Sequence, residues 1–422
     1  MKETLSQRLE KKRFRRPPRV IYPILLNTIV KSLARKWNVN FEFKTDTKKI
    51  KTPFVVVFNH QSRNDYVFTS LAFPKTRLNF IAGYNEFFRS HLKFIFSLCQ
   101  AIPKRNFVPD LHAVTEATRI IRNGGAICFS PEGMSSICGT NQPVALGSGK
   151  FLKHLGVPVY IVNIKGAYLM APKYCLDDRI GRVNVTTDLL FSEEQLRIMS
   201  ADRIDEQLNA AFTHNDFIYN MTERIKYDGR DFAKNLHTLL YKCPKCKKEF
   251  TMKGEGDRIY CTACGNGAKT NEFYDLIPLK EDSVIFDTPS QWYEWQREMV
   301  REEIINDPLF KMSEHVKLGT LPDYQYLKKH NTSEITGEGT VTLSREGFSF
   351  TGNRNGKHIA FSLPTSMVPT YGMCTDMTRF YTFYDKTFYE FYPETECVAK
   401  WFLATEELHR INGGSWKSLK DY

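Results

Sequence analysis

No stretch of this 422-residue chain is long and apolar enough to read as a bilayer span. The best run, Val20–Val30, is broken by Pro23 and Asn27 and falls short of the roughly 20 residues a transmembrane helix needs. A secretory signal layout is missing too, because the basic region ahead of that run is long and no small-residue cleavage site follows it. The chain is therefore expected on the cytoplasmic side. Cysteine is too scattered for a disulfide scaffold: Cys99, Cys128, Cys138, Cys175, Cys374 and Cys397 have no paired spacing and read as free thiols. No internal repeat is visible. Acidic residues are outnumbered 47 to 59, which leaves a net charge of +12.

With 42% hydrophobic and 25% charged residues the composition is that of a globular protein, and the length calls for two or more domains. The positive excess is uneven. Lys2, Arg8, Lys11, Lys12, Arg13, Arg15, Arg16 and Arg19 stand against only Glu3 and Glu10, so half of the +12 sits at one end. Alone, such an arm is a solvated segment. Its charge also suits an anionic partner, either nucleic acid or the cytoplasmic face of a membrane. Leu26, Ile29, Val30, Leu33 and Trp37 then recur at helical spacing, with Lys31, Arg35 and Lys36 on the other side. That pattern fits a peripheral membrane-surface helix, and it also fits a helix docked on a core.

Chemistry enters with two strand–turn segments. Phe54–Phe58 reads as a buried strand, and Asn59-His60-Gln61-Ser62-Arg63-Asn64-Asp65 follows it. A strand ending in Asn-His before a helix places His60 at the carboxyl edge of a sheet, where α/β proteins usually put their chemistry. From the first turn of the next helix, Asp65 can accept a hydrogen bond from one imidazole nitrogen and leave the other as a general base. No Ser or Cys stands in an obvious triad with this pair, which suits it to removing a proton from a substrate hydroxyl. A second strand, Ala126–Phe129, runs into the turn Ser130-Pro131-Glu132-Gly133.

These segments resemble the glycerophospholipid acyltransferases, the lysophosphatidic acid acyltransferase group in particular. Asn59, His60, Ser62 and Asp65 match the family's first block, Asn-His-x-Ser-x-x-Asp, and Ala101-Ile102-Pro103-Lys104-Arg105 matches its second. Pro131, Glu132, Gly133 and Ser136 match the third block, and the strand Val157–Val162 the fourth. The resemblance implies direct transfer of a fatty acyl group from acyl-CoA or acyl carrier protein to a lysophospholipid hydroxyl, with 1-acyl-glycerol-3-phosphate the leading acceptor. It implies His60 and Asp65 as catalytic residues, with Asn59, Ser62, Arg105, Pro131, Glu132, Gly133 and Lys150 around the substrate. Met134-Ser135 stand where Thr-Arg is usual, and Gly147-Ser148 replace a basic pair. Another lysolipid or a glycolipid is the alternative acceptor.

Alternating strands and helices predict an α/β domain over 51–235, with a mixed, mostly parallel sheet and flanking helices, after an arm and amphipathic helix over 1–50. Cys243, Cys246, Cys261 and Cys264 form a C-x2-C-x14-C-x2-C array, the spacing of a zinc ribbon over 240–270. Four thiolates leave no open position, so the Zn²⁺ is expected to be structural. A helical connector over 280–335 opens with a capping box at Thr288-Pro289-Ser290-Gln291. From residue 337 the period changes to two, and a helix over Cys397–Ile411 closes the chain. This small α+β module over 336–415 resembles a pleckstrin-homology or GRAM-like domain. A nucleic-acid-binding ribbon protein is the first rival, and the ribbon's sparse aromatic–basic interleaving argues against it. A noncatalytic lipid-binding protein is the second, and the intact His60–Asp65 pair argues against that.

Overall fold

Val55 and Val57 face one side of Phe54–Phe58 and Val56 faces the other, and all five residues of the strand are buried. A strand apolar on both faces needs cover on both, which a parallel sheet with helices on each side supplies. A computed structural model of the chain describes residues 2–373, 376–414 and 416. Cys374, read as a free thiol, lies outside the described residues. The first sheet holds β1 (Asn38–Phe43), β2 (Phe54–Phe58), β3 (Leu78–Gly83), β4 (Ile102–Lys104), β5 (Ala126–Phe129), β6 (Val159–Lys165) and β7 (Arg182–Phe191). Their order is β1-β7-β6-β2-β5-β3-β4. The strands β2 to β6 run parallel, β7 returns antiparallel to β6, and β1 pairs parallel with β7. Val56 packs with Phe68, Cys128 and Val162 on one face, while Val55 and Val57 pack with Ile120, Ile127 and Leu152 on the other.

The basic arm is not a free solvated segment. Phe14 is 1% exposed within the second of these cores. Its N–H donates to Glu116 Oε2 at 2.7 Å, and the Arg15 carbonyl accepts from Asn79 Nδ2 at 2.8 Å. The arm is thus strapped across the sheet, with its apolar residues turned in and most basic ones out. The segment after it docks on the core through Leu26, Val30 and Trp37. Ile29, expected on the same stripe, is exposed instead, because Leu26–Val30 is a wider helical turn between Ile21–Leu25 and Lys31–Arg35. The sheet also claims β1, which falls inside the 1–50 segment of the sequence reading.

A second, antiparallel sheet carries the cysteines: β8 (Met252–Glu255), β9 (Arg258–Cys261), β10 (Gly267–Thr270) and β11 (Leu276–Pro278). The helix Pro289–Asn306 starts on the expected Thr288 capping box and buries Trp292, Val300 and Ile304. Here the predicted connector ends early. The next strand, β12 (Lys311–Thr320), lies inside a six-stranded antiparallel sheet with β13 (Glu334–Ser344), β14 (Gly347–Arg354), β15 (Lys357–Pro364), β16 (Phe380–Tyr384) and β17 (Thr387–Pro393). Its order, β15-β14-β13-β12-β17-β16, puts β12 between β13 and β17, so the C-terminal module begins at Lys311 and not at 336. The alternating Glu314, Val316 and Leu318 were hidden in sequence by a polar solvent face. The helix Val398–Ile411 covers this sheet through Trp401, which packs on Phe348 and Phe380.

One apolar seam joins the parts. Leu5 from the arm and Tyr84 and Phe88 from the first domain pack with Leu327, Phe383 and Phe388 from the C-terminal module. The seam is backed by main-chain bonds from Leu327 N to Phe88 O at 2.8 Å and from Leu5 N to Asp323 O at 2.7 Å. The aromatic segment 87–98 buries Phe87 and Phe88 here and leaves Phe94 75% exposed. Among the described residues no helix is long and apolar enough to cross a membrane. Because the arm is part of the core, Phe14→Ala should lower unfolding free energy by about 3–5 kcal/mol in denaturant titration. An arm held only by charge would leave the midpoint where it was.

Candidate active site

β2 and β5 are parallel neighbours, so the turns that leave them emerge side by side at the carboxyl edge of the sheet. The turn after β5 grips the first residue of chemical interest by its main chain. The His60 N–H donates to Glu132 Oε1 at 2.7 Å, and the Ser136 N–H donates to the His60 carbonyl at 2.7 Å. Glu132 Oε2 takes a further N–H, from Gln142, at 2.6 Å. Gly133 sits at φ +77°, and a Cβ there would meet the Phe107 ring at 3.2 Å, so the turn suits glycine twice over.

The imidazole is oriented from the other side. His60 Nδ1 lies 2.9 Å from Asp65 Oδ2, and Asp65 is 1% exposed at the start of the helix Asp65–Ala72. Ser62 holds that carboxylate with its N–H at 2.9 Å and its hydroxyl at 2.8 Å. That carboxylate is held in place by three donors. It fixes the Nδ1–H tautomer and leaves Nε2 as the basic nitrogen. Among the described residues Nε2 has no hydrogen-bond partner. The arrangement can accept a proton from a hydroxyl brought to His60 and stabilise the imidazolium that results.

His60 lines a cavity of about 1320 Å³, larger than the roughly 300–1,000 Å³ of ordinary small-molecule sites. Pro131 and Gly133 share its wall. Asp65 lines it as well, and the remaining sequence-nominated residues stand behind the wall or away from it. Asn59 staples β2 to β6 by paired bonds with Ile164, at 2.8 and 2.7 Å. Ser62 and Glu132 act on Asp65 and on the His60 main chain, as described. Arg105, 6% exposed, turns from the cavity to Glu10 and Asp110 and stacks its guanidinium 4.2 Å from the Tyr84 ring centroid. Lys150 is exposed on the helix Ser148–Leu155.

Several lining residues escaped the sequence reading. The Gln61 amide is buried beside His60, and neither its nitrogen nor its oxygen has a partner among the described residues. It lies within the recognised motif, so the signal was present but its role was not. Lys104 presents an ammonium to the cavity whose hydrogen bond goes to a neutral acceptor, the Arg105 carbonyl, at 3.1 Å. Burial lowers the Lys104 pKa, with Asp110 acting in the opposite direction. Lys173 donates to Ser135 Oγ at 3.0 Å, in a segment with no local sequence signal. Met373, Tyr381 and Trp416 bring the C-terminal module into the same wall. Asn106 links it to the turn after β5, donating to the Gly133 carbonyl at 2.8 Å and to Tyr381 Oη at 3.3 Å.

Away from this cavity, the ligand atoms of Cys243, Cys246, Cys261 and Cys264 lie within 4.8 Å of one another and can coordinate a metal ion. Two cross-pairs, Cys243–Cys264 and Cys246–Cys261, are each 3.7 Å apart at sulfur. Asn266 Nδ2 and the Thr251 hydroxyl approach two of these sulfurs, at 3.7 and 3.3 Å.

Glu132 is the buried hinge of the site. Burial pushes its pKa up to about 8, while the His60 and Gln142 N–H groups pull it down and nearby Asp65 pushes it up. The native state then holds this proton more tightly than the unfolded chain, so its contribution to stability falls as pH rises from about 4.3 to about 8. Glu132→Gln should abolish that pH dependence in thermal unfolding. It should also cost about 1–3 kcal/mol, since an NH₂ would face a main-chain N–H that has lost its acceptor.

Residues 38–165 match the family model described as Acyltransferase. Among solved structures, one similar chain is the 1-acyl-sn-glycerophosphate (LPA) acyltransferase from Thermotoga maritima. It is 21% identical over 47% of this chain and 80% of that one, with a TM-score of 0.39. No curated protein matches. With the turns after β2 and β5 locked together at the carboxyl edge of an α/β sheet, the matched segment is similar to an acyltransferase domain.

Proposed function

We propose that this chain moves a fatty acyl group from an activated donor, acyl-CoA or acyl carrier protein, to the hydroxyl of a lysophospholipid. The observation that carries the reading is the His60–Asp65 pair, buried on its carboxylate side and open to a large cavity on its imidazole side. His60 Nε2 takes the acceptor's hydroxyl proton as the oxygen attacks the thioester carbon. The tetrahedral intermediate collapses by breaking the C–S bond, and the imidazolium returns its proton to the departing thiolate. General-base assistance of this kind is worth roughly 10²–10⁴-fold in rate. The unpartnered Gln61 amide beside His60 is suited to hydrogen-bond a reacting oxygen.

The favoured acceptor is 1-acyl-glycerol-3-phosphate, with Lys104 and Lys173, in place of Arg105 and Lys150, as the groups proposed to meet its phosphate. Those two ammonium groups line the cavity with His60, whereas Arg105 is engaged elsewhere. Peripheral attachment at the cytoplasmic face of a membrane fits the exposed Val20, Ile21, Ile24 and Phe94, which belong to segments that also contribute Tyr22, Leu25 and Ile95 to the cavity. Zn²⁺ is the metal proposed for Cys243, Cys246, Cys261 and Cys264, as a structural zinc ribbon. The 3.7 Å sulfur separations support it, since a tetrahedron with Zn–S bonds of 2.3 Å has edges of about 3.8 Å.

His60→Ala should abolish transfer in a folded protein, and Asp65→Asn should lower kcat severely with little change in KM. Turnover by folded His60→Ala with any acceptor would overturn the mechanism. Lys104→Ala and Lys173→Ala should each raise KM for a phosphate-bearing acceptor by about 10- to 100-fold and leave the donor KM within a few fold. Metal analysis should return one zinc per chain. Cys243→Ser should lower stability and zinc content together, and zinc-free protein of undiminished stability would refute the ribbon.

A further inference from the structure

A second cavity, of about 470 Å³, lies at the amino ends of β3 and β5, the sheet edge opposite to His60. Five arginines line it: Arg15, Arg16 and Arg19 from the arm, Arg77 from the residue before β3, and Arg119 from the helix Leu111–Arg122. Their convergence is enforced by neutral contacts. Phe14 is fixed in the core, Asn79 holds the Arg15 carbonyl, and Arg77 donates to the Pro17 carbonyl. Charge compensation is nearly missing. Among the described residues only Arg119 forms an ion pair, with Glu116, and that carboxylate also accepts the Phe14 N–H. Arg16 Nε is buried without a partner. Burial lowers the Arg77 pKa, with Arg16 and Arg19 adding to the effect, which registers the mutual repulsion.

Four guanidinium groups without a carboxylate partner among the described residues surround one cavity and repel one another, and an anion brought into it would offset that repulsion. We infer that this cavity is a binding site for a phosphate-bearing anion, distinct from the acyl-transfer site. Guanidinium forks suit phosphate because each can bind two oxygens at once. Val20 and Ile21, exposed and next to Arg19, favour the headgroup of an anionic phospholipid as the source of that phosphate. The inference stands whether or not the chain transfers acyl groups, and its test does not read turnover.

The full-length protein is to be co-sedimented with vesicles of phosphatidylcholine alone and of phosphatidylcholine mixed with phosphatidylglycerol. Thermal unfolding with pyrophosphate probes a soluble source of the same chemistry. The cavity variant is Arg15→Gln/Arg19→Gln/Arg77→Gln, and the charge-matched control is Lys2→Gln/Arg8→Gln/Lys11→Gln on the same arm. Wild type and control should bind the mixed vesicles within a few fold of each other, while the cavity variant should lose on the order of a hundredfold. Should the triple variant misfold, Arg19→Gln alone, which removes an exposed side chain without an ion-pair partner, should still lose about five- to tenfold. Pyrophosphate stabilising wild type but not the cavity variant would support the phosphate site from the soluble side. Equal losses in the cavity variant and the control would reduce the effect to net charge and overturn the site. So would an absence of discrimination with both phosphate probes.

Discussion

Main-chain contact between the turn after β5 and His60 is the constraint on which the rest of the site depends. Glu132 accepts the His60 N–H and Ser136 donates to the His60 carbonyl, so both polar groups of one peptide segment are held by a neighbouring loop. Each bond lies where water cannot replace it, and losing one leaves a buried group unsatisfied. The consequence is positional. An imidazole on a short turn would otherwise swing with its backbone, and Asp65 could then fix its ring plane but not its place. Parallel pairing of β2 with β5 makes the grip achievable, because it delivers both turns to one edge in fixed register.

The same turn carries the cavity wall outwards to the C-terminal module. Gly133 admits the Phe107 ring, Phe107 packs against Trp416 at 5.9 Å between centroids, and Asn106 bonds both the Gly133 carbonyl and Tyr381 Oη. A module whose own core is complete, with Trp401, Phe348 and Phe380 stacked under its helix, therefore also completes another domain's cavity. The seam of Leu5, Tyr84, Phe88, Leu327 and Phe388 packs the module into that placement. The shape of this wall thus answers to packing in two domains at once.

Much of this was legible in the sequence where local rules and long-range structure agree. The apolar run Phe54–Phe58, the Thr288 cap, the paired cysteines and the period-two strands each announce an element through its own composition. The His60–Asp65 pairing was legible because both partners belong to one turn and the helix that follows. The arm failed the same reading because its fate is decided elsewhere. Nothing near Phe14 signals that Glu116, about a hundred residues away, will bind its N–H, or that Asn79, about sixty residues away, will bind the Arg15 carbonyl. The strand β12 was missed for a related reason, since its polar residues face solvent along half its length. Lys173 could not be nominated at all, being brought to Ser135 only by the fold.

Lys104 and Arg105 show how adjacent charges acquire opposite duties. Successive side chains at the end of a strand point to opposite faces, so a basic pair that looks like one phosphate clamp is split by the pleat. Lys104 lines the cavity, where its ammonium donates to the Arg105 carbonyl and feels the Asp110 carboxylate nearby. Arg105 is delivered to Glu10, Asp110 and the face of Tyr84, and is 6% exposed there. Stripping a buried guanidinium of its carboxylates costs about 3–5 kcal/mol, more than a single new phosphate contact returns. Recruiting Arg105 to a substrate would also require Glu10 to leave, and Glu10 rides on an arm anchored at Leu5 and Phe14. The guanidinium is thus placed to hold the arm to the first domain, while the ammonium beside it lines the cavity.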